Sequence, residues 1–136
     1  MKKYVLISCV SQKLDRPALS KDLYTSTLFK LCYRYATSLK PDAIFVLSAK
    51  YGLVSCDQVI APYDMTLNEM KARNVREWSE RVLVELRKQT DLQKDRFIFL
   101  AGDKYRKYLL QHIRNCQIPM ERLRIGEQLS WLKKKI

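Results

Sequence analysis

The chain predicts an α/β fold, a single small three-layer sandwich with a mainly parallel sheet, on three observations. Three apolar, strand-like runs, Tyr4 to Val10, Ala43 to Leu47 and Phe97 to Leu100, alternate with amphipathic segments. Both connections between successive runs are long and contain a helical pattern, which favours right-handed parallel crossovers. Each run stops at small residues, Ser8-Cys9, Ser48-Ala49 or Ala101-Gly102, and a lysine follows: Lys13, Lys50 and Lys104. Parallel strands bring those ends to one edge, where open α/β sheets bind ligands. A length of 136 residues suits one domain, 1–136, with a real core.

The elements follow in order. Tyr4 to Val10 is nearly all apolar and rich in β-branched residues, the pattern of a strand buried on both faces. Ser11 to Lys21 is polar and carries Pro17, so it reads as a loop. Thr25 or Ser26 caps a helix running to about Leu39, with Leu28, Leu31, Cys32 and Tyr35 on one face. Lys40-Pro41-Asp42 ends it before the second strand. Tyr51 to Thr66 reads as irregular, punctuated by Gly52 and Pro62.

Thr66, with Glu69 three residues on, is spaced like a capping box for a helix from about Asn68 to Lys88. Val75, Trp78, Val82 and Leu86 supply its apolar stripe. Arg73/Glu77, Arg76/Glu80, Glu77/Arg81 and Arg81/Glu85 are opposite charges four apart on a solvated face. After the third strand, Asp103 caps a helix through Tyr105, Leu109 and Ile113. Glu127 to Lys135 forms a last short helix, and Lys133 to Lys135 reads as a flexible basic tail. Three strands make a narrow sheet, so a further strand is expected at Gln58 to Ala61 or Leu123 to Ile125.

Charge restricts the partners. There are 26 Lys and Arg against 14 Asp and Glu, a net +12. From Lys94 to Ile136, 11 basic residues face 4 acidic ones, so +7 lies in the last third of the chain. Such an excess bears on partners rather than on fold, and nucleic acid or a nucleotide is the leading one. Cys9, Cys32, Cys56 and Cys116 contain no C-x-x-C pair, and with His112 they give no zinc-ligand spacing. No metal and no cofactor are expected. The opening KKYVLIS is too short for a secretory signal, and no run approaches the ~20 apolar residues of a membrane span. These readings place the protein in the cytoplasm, reduced, with no membrane partner.

Five constellations carry candidate chemistry. Ser8-Cys9 with Lys13 puts a thiol at a strand end, where a cation or helix N-terminus makes a nucleophile. The competing reading is a small buried cysteine, since no histidine is near. Lys21 to Ser26 opens the first helix, where free amides and hydroxyls suit a phosphate; Ser26 is also a plain cap, and Tyr24 offers a ring to stack. Ser48 to Leu53 ranks first for ligand contact. Gly52 permits a conformation closed to bulkier residues, Lys50 supplies a mobile charge and Tyr51 a ring.

Pro62-Tyr63-Asp64 places a carboxylate in a loop, and Asp64 is the best acid/base candidate, although turns use Asp commonly. Gly102 to Lys107 begins a helix with three cations, of which Lys104 joins the strand-end set. His112, on an apolar face, reads as a core histidine.

Taken together, Ser8-Cys9 with Lys13, Asp22 to Ser26, LSAKYGL (Leu47 to Leu53), PYDMTL (Pro62 to Leu67), AGDKY (Ala101 to Tyr105) and GEQLSWL (Gly126 to Leu132) resemble one uncharacterised bacterial and phage domain family of about this length. More distantly, the SC-x-x-x-K opening followed by Tyr24-Thr25-Ser26 is similar to the lysine-transferring core of archaeosine synthase and to the YaaA peroxide-stress proteins. In this chain the order is Ser8-Cys9, and Thr27-Leu28-Phe29 supplies no histidine. The resemblance implies a small α/β domain acting on nucleobases in nucleic acids.

The expected function is accordingly an enzyme acting on a base or nucleotide within DNA or RNA, by glycosidic-bond cleavage or base modification. Lys13, Lys50 and Lys104 would hold phosphates, Tyr24 or Tyr51 would stack on the base, and Asp64 would supply acid/base help. A non-catalytic nucleic-acid-binding module is the rival, and an enzyme for a free nucleotide or phosphosugar is a third reading.

Overall fold

The computed structural model describes all of residues 1–136. Its strands are β1 (Lys3–Ser8), β2 (Ala18–Leu19), β3 (Ala43–Ser48), β4 (Gly52–Ser55), β5 (Val59–Ile60), β6 (Arg96–Leu100) and β7 (Asn115–Gln117). Its helices are α1 (Ser20–Leu23), α2 (Thr27–Ser38), α3 (Ala72–Gln89), α4 (Asp103–Leu110) and α5 (Ile125–Lys135). A 3-10 turn occupies Leu67–Glu69.

The main sheet has the order β4-β3-β1-β6-β7. The three sequence-expected strands lie side by side and parallel, with Tyr4 opposite both Ala43 and Phe97. β1 is the middle strand, and Tyr4 to Ile7 are buried, as a strand covered on both faces requires. β7 adds a further parallel strand, and β4 folds back antiparallel on β3.

Connection order sets where a ligand cleft opens. The chain leaves β1 through α2 toward β3, then crosses back through α3 to β6 on the other side of β1. It continues outward through α4 to β7. Right-handed crossovers in opposite directions put helices on opposite faces. α3 packs with α4, and α2 packs with α5. The loops after β1 and β6 therefore diverge, and the switch point lies between these two strands.

Five strands form the sheet rather than three. Neither expected extra strand joins it: Val59–Ile60 pairs with Ala18–Leu19 in a separate ribbon, and Leu123 to Ile125 leads into α5. The added strands are Gly52–Ser55, inside the stretch read as irregular, and Asn115–Gln117. Both are edge strands and short, and β7 is polar, as edges tolerate.

The helix from Asn68 is also corrected. Thr66 Oγ1 accepts from the Asn68 amide at 3.2 Å, but this caps only the 3-10 turn. Met70 and Lys71 are extended, with ψ of 151° and 156°, so α3 begins at Ala72 and Glu69 closes no capping box. Of the four expected charge pairs on α3, Arg73–Glu77 closes, at 3.9 Å. Gly102, not Asp103, occupies the cap position of α4, which ends at Leu110. Lys133 to Lys135 belong to the last turn of α5, so the basic run is helical rather than a flexible tail.

Candidate functional site

Two adjoining clefts open at the carboxyl edge of the sheet. The first, about 460 Å³, lies between the ends of β1 and β6 at the switch point. Leu28, Phe29, Ile118, Met120 and Ile125 line it with apolar surface, while Ser8, Gly102, Asp103, Arg106 and Arg122 add polar and charged groups. That size and mixture suit a small-molecule site. The second, about 630 Å³, runs past Lys13, Ser26, Asp64, Thr66 and Glu69. Cys9, Val10, Leu28, Asn68, Tyr105 and Ile125 border both.

Each helix beside the clefts starts there. Residues near the N-termini of α2, α4 and α5 line the first cleft, so three helix dipoles present their positive ends to it. Ser26 caps α2 by accepting from the Phe29 amide at 3.1 Å. Gly102 has no side chain with which to cap α4. Its own amide donates to Ser8 Oγ at 3.3 Å, tying the ends of β1 and β6 together.

The shared wall is a set of buried hydroxyls. Cys9 Sγ donates to Tyr105 Oη at 3.4 Å, which also accepts from the Leu67 amide at 3.2 Å and lies 3.3 Å from Thr66 Oγ1. Behind it, Ser48 Oγ donates to Tyr63 Oη at 2.8 Å, and Tyr63 Oη shares a proton with Tyr24 Oη at 2.7 Å. Ser48 Oγ accepts from the Tyr51 amide at 3.0 Å, and Ser48 O accepts from Trp78 Nε1 at 2.9 Å. Burial pushes the Tyr24 phenol up to about 12. Burial, then the neighbouring Cys9, raises Tyr63 and Tyr105 as well. All three therefore stay neutral near pH 7 and serve as hydrogen-bonding groups.

The strand-end lysines are not equivalent. Lys13 Nζ sits 4.5 Å from the Tyr63 ring centre and 5.7 Å from that of Tyr24, at the second cleft. Lys104 Nζ donates to Asn68 O at 3.1 Å, as Lys13 Nζ does to Ser11 O at 3.2 Å, but unlike Lys13 it lines neither cleft. Lys50 and Tyr51 project from the three-residue turn joining β3 to β4, outside both clefts. Gly52 closes that turn at φ +75°, buried.

The element expected to contact a ligand most directly is thus a hairpin. Ser48, at 0% exposure, works inside it as a hydrogen-bond hub. Tyr24 is likewise 1% exposed and supports the wall rather than offering an open stacking face. Tyr63 is half-buried between Lys13 and Tyr51. Ser8, Cys9 and Gly102 meet at the first cleft, and Cys9, Lys13, Ser26 and Asp64 at the second. Asp64 is exposed. No imidazole lines either cleft: His112 is half-buried near Arg87 and Thr90 in a separate depression.

Several cleft residues carry no sequence signal that singles them out. Arg106 reaches back to Ala101 O at 2.6 Å, and Arg122, at φ +70°, lines the same cleft. Asn68 reads as an ordinary helix start. Tyr105 falls on the apolar stripe of α4 and looks like core, and its hydroxyl role appears only once β1 is beside it.

No cluster of three or more His, Cys, Asp or Glu side chains is placed to hold a metal ion. All four cysteines are free, and no helix is long and apolar enough to cross a membrane. Residues 4–134 match the model of a family of unknown function, DUF6884, and the chain belongs to that family. No curated protein and no solved structure matches it.

Proposed function

We propose that the protein is an enzyme acting on a nucleobase or nucleotide of a nucleic acid, by cleaving the glycosidic bond or modifying the base. The observation that carries this reading is the first cleft: apolar walls at the switch point, rimmed by Arg106 and Arg122 and continuous with a compartment holding Lys13 and Asp64. The apolar lining, with Leu28 and Ile125, suits a flat, weakly polar base, and Arg106 and Arg122 there and Lys13 in the adjoining cleft supply cations for a phosphate. The positive helix ends favour the same anion. The net charge of +12 and the resemblance of the SC-x-x-x-K opening to base-modifying α/β domains point the same way.

In this arrangement Asp64 takes a proton from water or stabilises positive charge on the sugar as the base departs. Cys9, bonded to Tyr105, positions the wall. A base in a duplex is first flipped out, at a cost of a few kcal/mol. The test pairs oligonucleotide binding with base release in wild type and Asp64→Asn. Binding retained with release lost supports the role. Release retained removes Asp64 from catalysis, and no release or modification by wild type leaves a binding module.

A further inference from the structure

We propose that the outer face of α2 and α5 is a track for the phosphate backbone of a nucleic-acid strand, leading away from the cleft mouth. The inference rests on the functional reading above and adds the route that the polymer takes. α2 and α5 run in the same direction: Leu28 and Ile125, near their starts, both line the first cleft. About two turns on, Tyr35 meets Trp131 edge-on at 5.1 Å.

The two helical layers carry the same net charge but divide the acids unevenly: α3 and α4 hold eight cations and four acids, α2 and α5 five cations and one acid. α2 has no acidic residue, and its Lys30 and Arg34 are exposed cations one turn apart. Arg122 and Arg124 precede α5, and Lys133 to Lys135 end it, all exposed. The single acid within α5, Glu127, accepts from the Arg124 amide at 3.0 Å; Glu121 lies just before the helix. None of these cations forms an ion pair within 4.0 Å. On the opposite layer, α3 interleaves five cations with three acids and closes Arg73–Glu77 at 3.9 Å and Lys88–Glu85 at 3.2 Å.

The helix macrodipole accounts for lysines in the last turn of α5, but not for Lys30 and Arg34 inside α2. Like charges one turn apart repel, and a polyanion relieves that repulsion. An anionic membrane fits less well. Between Ile125 at the cleft and Ile136 at the far end, neither helix exposes a large apolar side chain to enter lipid. The eleven residues of α5 span ~16 Å, about five phosphates at 3.4 Å per strand residue.

The test measures binding of a fluorescent single-stranded oligonucleotide across a salt series, with a nucleoside monophosphate titration alongside. Lys30→Gln/Arg34→Gln and Lys133→Gln/Lys134→Gln are compared with Arg81→Gln/Arg87→Gln on α3, which removes the same charge. Each track pair is expected to weaken strand binding by about tenfold at low salt. Each also flattens the log–log salt slope by ~1.4, at ~0.7 per lost contact. The α3 pair should change little, and monophosphate binding should be unmoved. Equal losses from both layers, or track-dependent binding to phosphatidylserine vesicles without strand binding, overturn the track. Monophosphate binding that persists while the track pairs have no effect also overturns it, leaving the cleft reading intact. Track-dependent strand binding without monophosphate binding supports the track and sinks the cleft reading instead.

Discussion

Tyr63→Phe isolates the hydroxyl that ties the loop before Asp64 to the sheet. The substitution keeps the ring, and with it the contact to Lys13 at 4.5 Å. It removes the bonds to Ser48 Oγ at 2.8 Å and Tyr24 Oη at 2.7 Å. The Tyr24 hydroxyl, on a residue 1% exposed, is then left with Ser48 as its one remaining side-chain hydrogen-bonding neighbour. Ser48, at 0% exposure, still accepts from the Tyr51 amide, but its proton loses the 2.8 Å bond to Tyr63 and has only the poorer contact with Tyr24. Two lost hydrogen bonds at ~1 kcal/mol each, with ~1 kcal/mol more for the imperfectly satisfied buried hydroxyls, sum to about 3 kcal/mol. For a chain of this size, that corresponds to a fall in Tm of roughly 10 °C. Urea unfolding of Tyr63→Phe, Ser48→Ala and the double variant measures the loss and the coupling, expected near ~1 kcal/mol. A loss below about 0.5 kcal/mol, or zero coupling, would refute the hub. Tyr63→Leu, which also loses the ring under Lys13, should fall further.

Two glycines should respond with opposite signs. Gly52→Ala at φ +75° meets only Val82 Cγ2 at 3.8 Å, so it costs about 1–2 kcal/mol of backbone strain, whereas Gly126→Ala, with nothing within 4 Å, should stabilise α5 by about 0.5–1 kcal/mol; thermal melts decide. Burial opposes ionisation of Asp95, but the Lys2 and Asp91 amides, each at 2.9 Å, outweigh it and hold the carboxyl below its ordinary value. Its contribution is full above about pH 4 and is lost as pH falls through the lowered folded value, so the gap between wild type and Asp95→Asn should shrink in acid; parallel urea curves would contradict this. Lys13→Gln should weaken nucleotide binding about tenfold, as loss of a charge-assisted contact predicts, while Lys50→Gln outside the clefts changes it less than about twofold by calorimetry.

What was legible in the sequence follows the range of the interaction responsible. β1, β3 and β6 announce themselves because burial on both faces makes them continuous apolar runs, and Ser26 announces α2 because capping is local. Gly52–Ser55 and Asn115–Gln117 do not, since an edge strand takes its identity from the partner it pairs with. The break at Met70-Lys71 was hidden by helix-forming residues around it, and the contact of Leu67 N with Tyr105 Oη bridges residues 38 apart. The cleft was legible as an edge, through Ser8, Cys9 and Gly102. Its rim was not, because Arg106, Arg122 and Asn68 look like surface residues until α4 and α5 are docked.

The strand ends share a pattern but not a role, and topology explains the difference. β1 and β6 flank the switch point, so their following loops part and leave space; Ser8, Cys9 and Gly102 border that space. β3 is followed at once by an antiparallel return, so Ser48 to Gly52 must spend its backbone on a tight turn. Its small and polar residues satisfy that turn: Gly52 supplies the positive φ, and Ser48 Oγ binds the Tyr51 amide. Yet the hairpin still reaches the site, because Ser48 Oγ also holds Tyr63, whose ring carries Lys13 and whose neighbour is Asp64. Changes in this turn should therefore act on ligand binding through the position of Tyr63 and Asp64, with a matching loss of stability. Changes at Lys13 should act mainly on binding, with a loss of stability limited to the ~0.5–1 kcal/mol of its contact with the Tyr63 ring.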